Sequence, residues 1–262
     1  MFENISIGVK TFLRDEQLFN TIQAIRENLP GAQMIIADCG EMTDEKDSLY
    51  AELVREGHIQ IDLPFDAGFG AMSNAIAAAV ERSYLLMGSD DFEFSTPDVR
   101  LGIEKLEFFM NYHPAADIAS GRVNCNPYEF HLVERQPGEW YERPLSGVEY
   151  FIGNPICDLT VNYFLARNKV FDTVDWDEDV KIGGGEHGAF FIDCKRAKFK
   201  TVYVAGVNIN EQQVRNSPRY RMYRRRAQDP ARPCFVRRGI KKYVMGNGVV
   251  DYDETGGQDA IR

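Results

Sequence analysis

Leu85-Leu86-Met87-Gly88-Ser89-Asp90-Asp91-Phe92-Glu93-Phe94 decides how this chain is read. An apolar run stops abruptly at two adjacent carboxylates, and a third acid follows two residues later. A run of that length and character is a buried strand. Open α/β sheets bind ligands outside the carboxyl ends of their strands, which is where these acids fall. Hard oxygen donors in such a mouth suit Mg²⁺ or Mn²⁺, and the ion would in turn hold a diphosphate. On this segment alone an equal alternative stands, in which Asp90 and Asp91 only end the strand and cap a helix starting near Thr96-Pro97.

Outward from that strand, the first half alternates strand-like and helix-like segments. Strands start at Ile5, Gln33, His58 and Ser83, and helices run over 15–29, 45–56, 72–82 and 98–112. The alternation predicts an α/β fold with a mostly parallel sheet flanked by helices. After Tyr112 the texture changes to short strand-like runs at 118–123, 128–134, 139–143 and 148–151, broken by Pro, Gly and Asn. These predict a smaller antiparallel sheet laid against the first. Residues 157–167 read as one further strand, 186–196 as a helix and 201–207 as a last strand. The expected organisation is one domain over 1–214, in halves 1–112 and 113–214, followed by a basic extension at 215–262.

At 262 residues and 44% hydrophobic content the chain can bury one substantial core. No apolar run reaches the length of a membrane span, and Met1 to Lys10 lacks a signal-peptide layout. Cys39, Cys125, Cys157, Cys194 and Cys234 are scattered without CxxC spacing. That argues against a zinc site or a disulfide framework and for a reducing compartment, the cytoplasm. Net charge is −10, but residues 215–242 hold eleven Lys or Arg against Asp229 alone. The remainder is therefore strongly acidic, and a segregation of this kind points to an interaction or a neutralising contact.

Four segments carry candidate chemistry. Thr11 to Arg14 follow the first strand, where backbone groups and a guanidinium can meet a phosphate. Asp38 ends the second strand and can accept hydrogen bonds from a base or ribose. Asp66-Ala67-Gly68 precedes a helix, allowing close backbone approach to a ligand, and Asn74 on its first turns can orient the acid pair. Gly185-Glu186-His187 opens another helix whose Phe190 and Phe191 must pack inward, a desolvated setting that suits a general base. Taken singly, each has a plainer reading as a loop, a cap or a solvated residue. There is no GxGxxG after the first strand and no GxxxxGK[ST] anywhere, so a Rossmann dinucleotide site and a P-loop NTPase are both disfavoured.

The set Thr11/Arg14, Asp38, Asp66-Ala67-Gly68, Asn74 and Ser89-Asp90-Asp91 resembles the nucleotide-sugar half of GT-A glycosyltransferases of the family-two type. Residues 161–167, Val174-Asp175-Trp176-Asp177 and 185–191 extend the resemblance to the β1,4-N-acetylgalactosaminyltransferases of ganglioside synthesis and their bacterial and phage relatives, over about Ile5 to Tyr220. The resemblance implies a nucleotide-sugar donor, UDP-linked in the first instance, and an acceptor hydroxyl attacked with inversion. It implies that Asp38 reads the nucleobase, Asp90 contacts the ribose, Asp91 binds the Mn²⁺ or Mg²⁺ that bridges the diphosphate, and Glu186 deprotonates the acceptor. Trp176, Asp177 and Gly185 would line the sugar and acceptor pocket. Two departures stand out: the acidic triplet begins with Ser89, and Asn208-Ile209-Asn210 stands where a histidine commonly completes the metal shell. Asn210 or His187 would have to serve instead.

Arg219, Arg221, Arg224 and Arg225, interleaved with Tyr220 and Tyr223, leave three readings open. They could neutralise the acidic body, clamp the donor diphosphate, or hold a polyanionic acceptor such as DNA bearing a hydroxylated base. The rival to an enzyme is a non-catalytic polyanion or nucleic-acid binding module on a degenerate sugar-nucleotide fold.

Overall fold

Three apolar runs at the front of the chain become β1 (Ile5–Thr11), β2 (Gln33–Asp38) and β4 (Tyr84–Met87), each buried along its whole length. The computed structural model describes residues 2–145, 149–181, 185–224, 232–245 and 248–251. Helices α1 (Asp15–Asn28), α2 (Asp44–Arg55) and α3 (Phe69–Ala78) alternate with these strands and with β3 (Ile59–Asp62). α4 (Pro97–Tyr112) follows β4. Its N-cap is Thr96, whose side chain accepts from the Val99 amide with Pro97 in the first turn. Asp90 and Asp91 therefore do not cap that helix, and the capping alternative for the acid pair falls.

The second half supplies β5 (Ile118–Val123), β6 (Phe130–Gln136), β7 (Glu139–Pro144), β8 (Tyr150–Phe151), β9 (Asn154–Cys157) and β10 (Phe164–Arg167). After them come α5 (Asn168–Phe171), α6 (Glu186–Arg196), β11 (Thr201–Ile209), α7 (Pro218–Arg224), α8 (Arg232–Arg237), β12 (Lys242–Met245) and β13 (Gly248–Asp251). Among the described residues the main sheet has the order β3-β2-β1-β4-β10-β5-β11-β9-β8. β3, β2, β1 and β4 run parallel, whereas β10 lies antiparallel between β4 and β5. The α/β expectation holds, but the sheet is mixed rather than mostly parallel. The second sheet has the order β13-β12-β7-β6 and is mixed as well, because β12 pairs with β7 in parallel.

The single strand expected over 157–167 is two. At Asp158 the carboxylate accepts from the Leu132 amide at 2.9 Å and from Lys195 Nζ at 2.6 Å, turning the chain towards the second sheet. Cys157 pairs with β11, whereas the second strand pairs with β5 and begins only at Phe164. Two apolar layers enclose the main sheet: one face packs against Leu18, Ile22, Ile103 and Leu106, the other against Met72, Ile76, Phe190 and Ile192. β12 closes over that second layer. Tyr243 stacks on Phe235 at 4.9 Å and donates to Glu142 at 2.8 Å. A Cβ at Gly188 would lie 2.7 Å from the Tyr243 hydroxyl, so α6 and β12 meet so closely that a side chain there would force the tyrosine to shift. No helix among the described residues is long and apolar enough to cross a membrane.

Candidate active site

The carboxyl ends of β1 and β4 lie side by side. The Gly88 amide donates to Gly8 O at 2.9 Å and the Asp90 amide to Lys10 O at 3.3 Å, carrying the pairing past the strand ends. Thr21 Oγ1 donates to Asp90 O at 2.8 Å, and Gln212 Nε2 donates to the same carbonyl at 3.0 Å. The acid loop is thus held from α1 on one side and from the segment after β11 on the other. In front of it opens a cleft of about 280 Å³ whose walls include Lys10, Ser89, Asp91, Trp176, Glu186 and Glu211. Asp91 and Glu186, brought from sequence positions far apart, face the same space.

Glu186 starts α6, and its N-cap Gly185 has φ +92°, a left-handed conformation that glycine adopts at little cost. Behind it, Trp176 lies flat on Phe190 with ring centroids 3.9 Å apart, forming an apolar floor. His187 Nε2 is bound to the Thr160 carbonyl. Burial lowers the His187 pKa to about 4, so the ring is neutral across the physiological range. Beside the cleft an inner pocket is lined by Thr11, Phe12, Asp66, Gly68 and Phe69 and roofed by Tyr220, Tyr223 and Arg224 of α7. Tyr223 meets the rings of Phe12 and Phe65 edge-on at 5.3 and 5.6 Å. Arg224 lies over Phe69 at 5.5 Å and lines both cavities.

Several residues singled out in the sequence are engaged elsewhere. Both Asp38 oxygens are taken: Oδ1 accepts from the Gly40 amide at 2.7 Å, and Oδ2 from Tyr50 at 2.7 Å with Lys46 Nζ at 3.1 Å. Asp38 anchors α2 and lines neither cavity. Asn74 does not orient the acids. Its amide brackets the Trp176 backbone, donating to the carbonyl at 2.9 Å and accepting from the N–H at 2.8 Å. Gly68 serves chain packing, since a Cβ there would come 2.4 Å from Lys181 Cα. Asp177 turns away to pair with Arg237 and with Arg238, the latter at 2.9 Å. Against the burial that would raise it, those arginines hold its carboxyl below the usual carboxylate range. Asn210 accepts from Asn208 at 3.1 Å and lines a different cavity, beside Thr96 and Lys105.

Two cleft residues were not anticipated. Lys10 is a lysine at the end of a strand that is otherwise apolar or small, and Glu211 is the first acid after the last strand of the main sheet. Burial lowers the Lys10 pKa to about 8, opposed by the charges of Glu186, Asp91 and Asp90, so at neutral pH it carries a proton. A charged group in a buried strand is the signal that would have found it.

Gly70 sets how closely α3 approaches the 177–181 segment, for a Cβ there would stand 2.0 Å from Asp177 O. Backbone cannot yield as a flexible side chain can, so Gly70→Ala should cost about 1–3 kcal/mol through overpacking. A melting temperature equal to that of the parent would remove this account of the glycine.

The residues do not, as placed, fit a divalent ion. Among those described, no three His, Cys, Asp or Glu side chains are grouped to hold one. Arg14 occupies the acid pair instead. Its Nη1 lies 2.5 Å from Asp91 Oδ2, its Nε donates to Asp90 Oδ2 at 3.2 Å, and its Nη2 contacts Asp90 Oδ1. Burial would lower the Arg14 pKa, but the charges of Asp90 and Asp91 outweigh it and raise the value.

The fold, with its ligand cleft at the strand ends, is that of the GT-A glycosyltransferases. Crystal structures it resembles include GalNAc-T7 with UDP, GalNAc and Mn²⁺ (TM-score 0.61, 12% identity, 79% of this chain and 43% of that one). Another is S. aureus TarS 1-349 in complex with UDP (TM-score 0.55, 14% identity, 79% and 60%). In sequence the chain is homologous to the β1,4-N-acetylgalactosaminyltransferases. It is 30% identical over 221 residues to the Mus musculus β1,4 N-acetylgalactosaminyltransferase 2, and 27% over 205 residues to the Homo sapiens β1,4 N-acetylgalactosaminyltransferase 1. Those alignments cover 82% and 72% of this chain but only 40% and 35% of the relatives. No protein-family model matches the chain.

Proposed function

We propose that this chain is an inverting glycosyltransferase that moves a sugar from a UDP-linked donor to an acceptor hydroxyl. The observation that carries the reading is the facing of Asp91 and Glu186 across one cleft, with an aromatic-walled pocket beside it. In this reading the nucleoside occupies the inner pocket between Phe12, Phe69 and α7, and the diphosphate points towards Lys10 and Arg224. Glu186 takes the proton from the acceptor hydroxyl as that oxygen attacks the anomeric carbon. The bond from that carbon to the diphosphate oxygen breaks, and the nucleoside diphosphate leaves with the electron pair. Attack from the side of Glu186, opposite the leaving group, inverts the anomeric centre. Trp176, 4% exposed and stacked on Phe190, closes the floor of the cleft beneath the sugar.

A glycan hydroxyl is the acceptor this surface favours over a base in DNA. Arg219 makes a double contact with Glu41 at 2.5 Å, and Arg238 pairs with Asp177 and Asp193. Among the described residues Arg221 makes no ion pair, and Arg225 lies outside them. Arg219, Arg237 and Arg238 thus neutralise acids of the body, which supports a covering role for the described part of the basic segment over polyanion binding.

Melting curves with UDP, GDP and TDP, each with Mn²⁺, test the donor class. A ligand at about a hundred times its Kd stabilises the native state by roughly 2.7 kcal/mol, a shift of a few degrees. We expect the shift with UDP. No response to any nucleotide at millimolar concentration would end the donor reading.

A further inference from the structure

The segment joining β5 to β6 is held more tightly than a surface loop needs. Asn124 and Cys125 both stand in the left-handed region, at φ +53° and +56°, which costs free energy for a residue with a side chain. Hydrogen bonds fix that turn from both sides. The Asn124 amide donates to Ile209 O at 2.8 Å, the Cys125 amide to Asn208 Oδ1 at 2.6 Å and the Asn126 amide to Val123 O at 3.0 Å. Asn124 Nδ2 donates to Glu211 Oε2 at 3.0 Å. Further on, Arg122 grips Glu129 with two bonds, at 2.6 and 3.1 Å, and the Phe130 amide donates to Leu159 O at 3.0 Å. Strain sustained by its surroundings in this way is a mark of functional segments.

What this scaffold holds out to solvent is Tyr128. Its ring is 37% exposed, although it meets Phe130 edge-on at 5.3 Å and lies 6.4 Å from the ring of His187, the residue after Glu186. It lines neither the inner pocket nor the walls of the cleft, and so stands at the mouth beside the base. Other exposed aromatic rings are remote from that helix: Phe108 and Tyr112 lie on α4, Tyr150 on β8, and Phe65 against Phe12 and Tyr223. Trp176 is buried under Phe190 and has no face to offer a ligand. Burial, with the charges of Glu142 and Glu186 beside it, pushes the Tyr128 phenol up to about 12. Its hydroxyl therefore keeps its proton and does not compete with Glu186 as a base. A contact role is what remains for it. A pyranose carries its hydroxyls on a polar rim and C–H groups on its faces, and an aromatic ring meets such a face well. A ring already fixed by its scaffold loses little conformational freedom in doing so.

We infer that Tyr128 is a specificity-determining contact for the acceptor, its ring carrying the C–H face of a pyranose whose hydroxyl is turned towards Glu186. The inference rests on the glycosyltransferase reading and deepens it by naming the acceptor class and the side chain that selects it. Donor binding is untouched, because Tyr128 takes no part in the inner pocket.

Methyl β-galactopyranoside and methyl β-glucopyranoside are the probes. Saturation-transfer NMR on the full chain should show saturation reaching the ring C–H protons of at least one of them. Tyr128→Ala should lose that transfer and Tyr128→Phe keep it. Rates with UDP-N-acetylgalactosamine and the pyranoside that binds should show an acceptor KM raised about tenfold by Tyr128→Ala, the worth of one aromatic stacking contact. The donor KM and the melting temperature should stay at parental values. Tyr128→Phe should restore the acceptor KM, since the ring makes the contact. An unchanged acceptor KM in Tyr128→Ala would overturn the assignment. So would a rise in both KM values with a lower melting temperature, which would make the ring a structural prop. A parent that binds neither pyranoside would overturn it as well. A parent whose melting temperature ignores UDP defeats the donor reading instead, and the NMR comparison, which needs no turnover, still judges Tyr128.

Discussion

Glu186→Gln should reduce sugar transfer by roughly 10²- to 10⁴-fold while leaving the affinity for UDP unchanged. The amide keeps the size and hydrogen-bonding reach of the carboxylate but cannot accept the acceptor's proton. The change is local, because Glu186 sits in the first turn of α6 behind a left-handed glycine and the helix is held by Phe190, Phe191 and Ile192, all fully buried. Initial rates with a UDP-sugar, paired with calorimetry for UDP, separate the chemical step from binding. A variant that turned over at the parental rate would remove Glu186 from the chemistry. One that lost UDP affinity as well would make it a donor contact.

Asp90→Ala should act on stability, with a loss of about 3–5 kcal/mol, because it leaves the buried Arg14 guanidinium short of its main counter-ion. The Asp90 side chain is fully buried and that of Arg14 only 6% exposed, so water cannot make good the missing charge. Burial pushes the Asp90 carboxyl up to about 7 and the Arg14 charge pulls it down, a tension that removal of either partner would expose. Asp91→Ala, at a more exposed position, should cost much less. Urea unfolding midpoints for the two variants make the comparison. Equal and small losses would mean that Arg14 is not held by this pair.

The sequence displayed the donor half well because its strands are uniformly apolar and stop at polar residues. Isoleucines and leucines at 5–9, 34–36 and 85–86 announce strands buried on both faces, and a carboxylate after such a run has few places to be. The same logic located Glu186, since glycine followed by an acid and an inward-facing aromatic pair fits a helix start. What failed was the assignment of partners. Nothing near Asn74 in sequence discloses that its amide is satisfied by the backbone of Trp176, 102 positions away. Asp38 has the right address for a ligand contact, yet Tyr50 and Lys46 on the next helix consume it. The run 157–167 is apolar enough for one strand, but the bend depends on Lys195 reaching Asp158, a long-range contact with no local signature. Lys10 went unread because a strand template takes no account of one charged residue at its end.

Tyr243 against Gly188 ties the helix bearing Glu186 to β12, a strand that lies more than fifty positions further along the chain. A ribosome that has finished residue 214 has already delivered Asp91, Lys10 and Glu186, but not the prop behind that helix. A premature stop before β12 would therefore yield a body with all three cleft residues and no secure seat for its base.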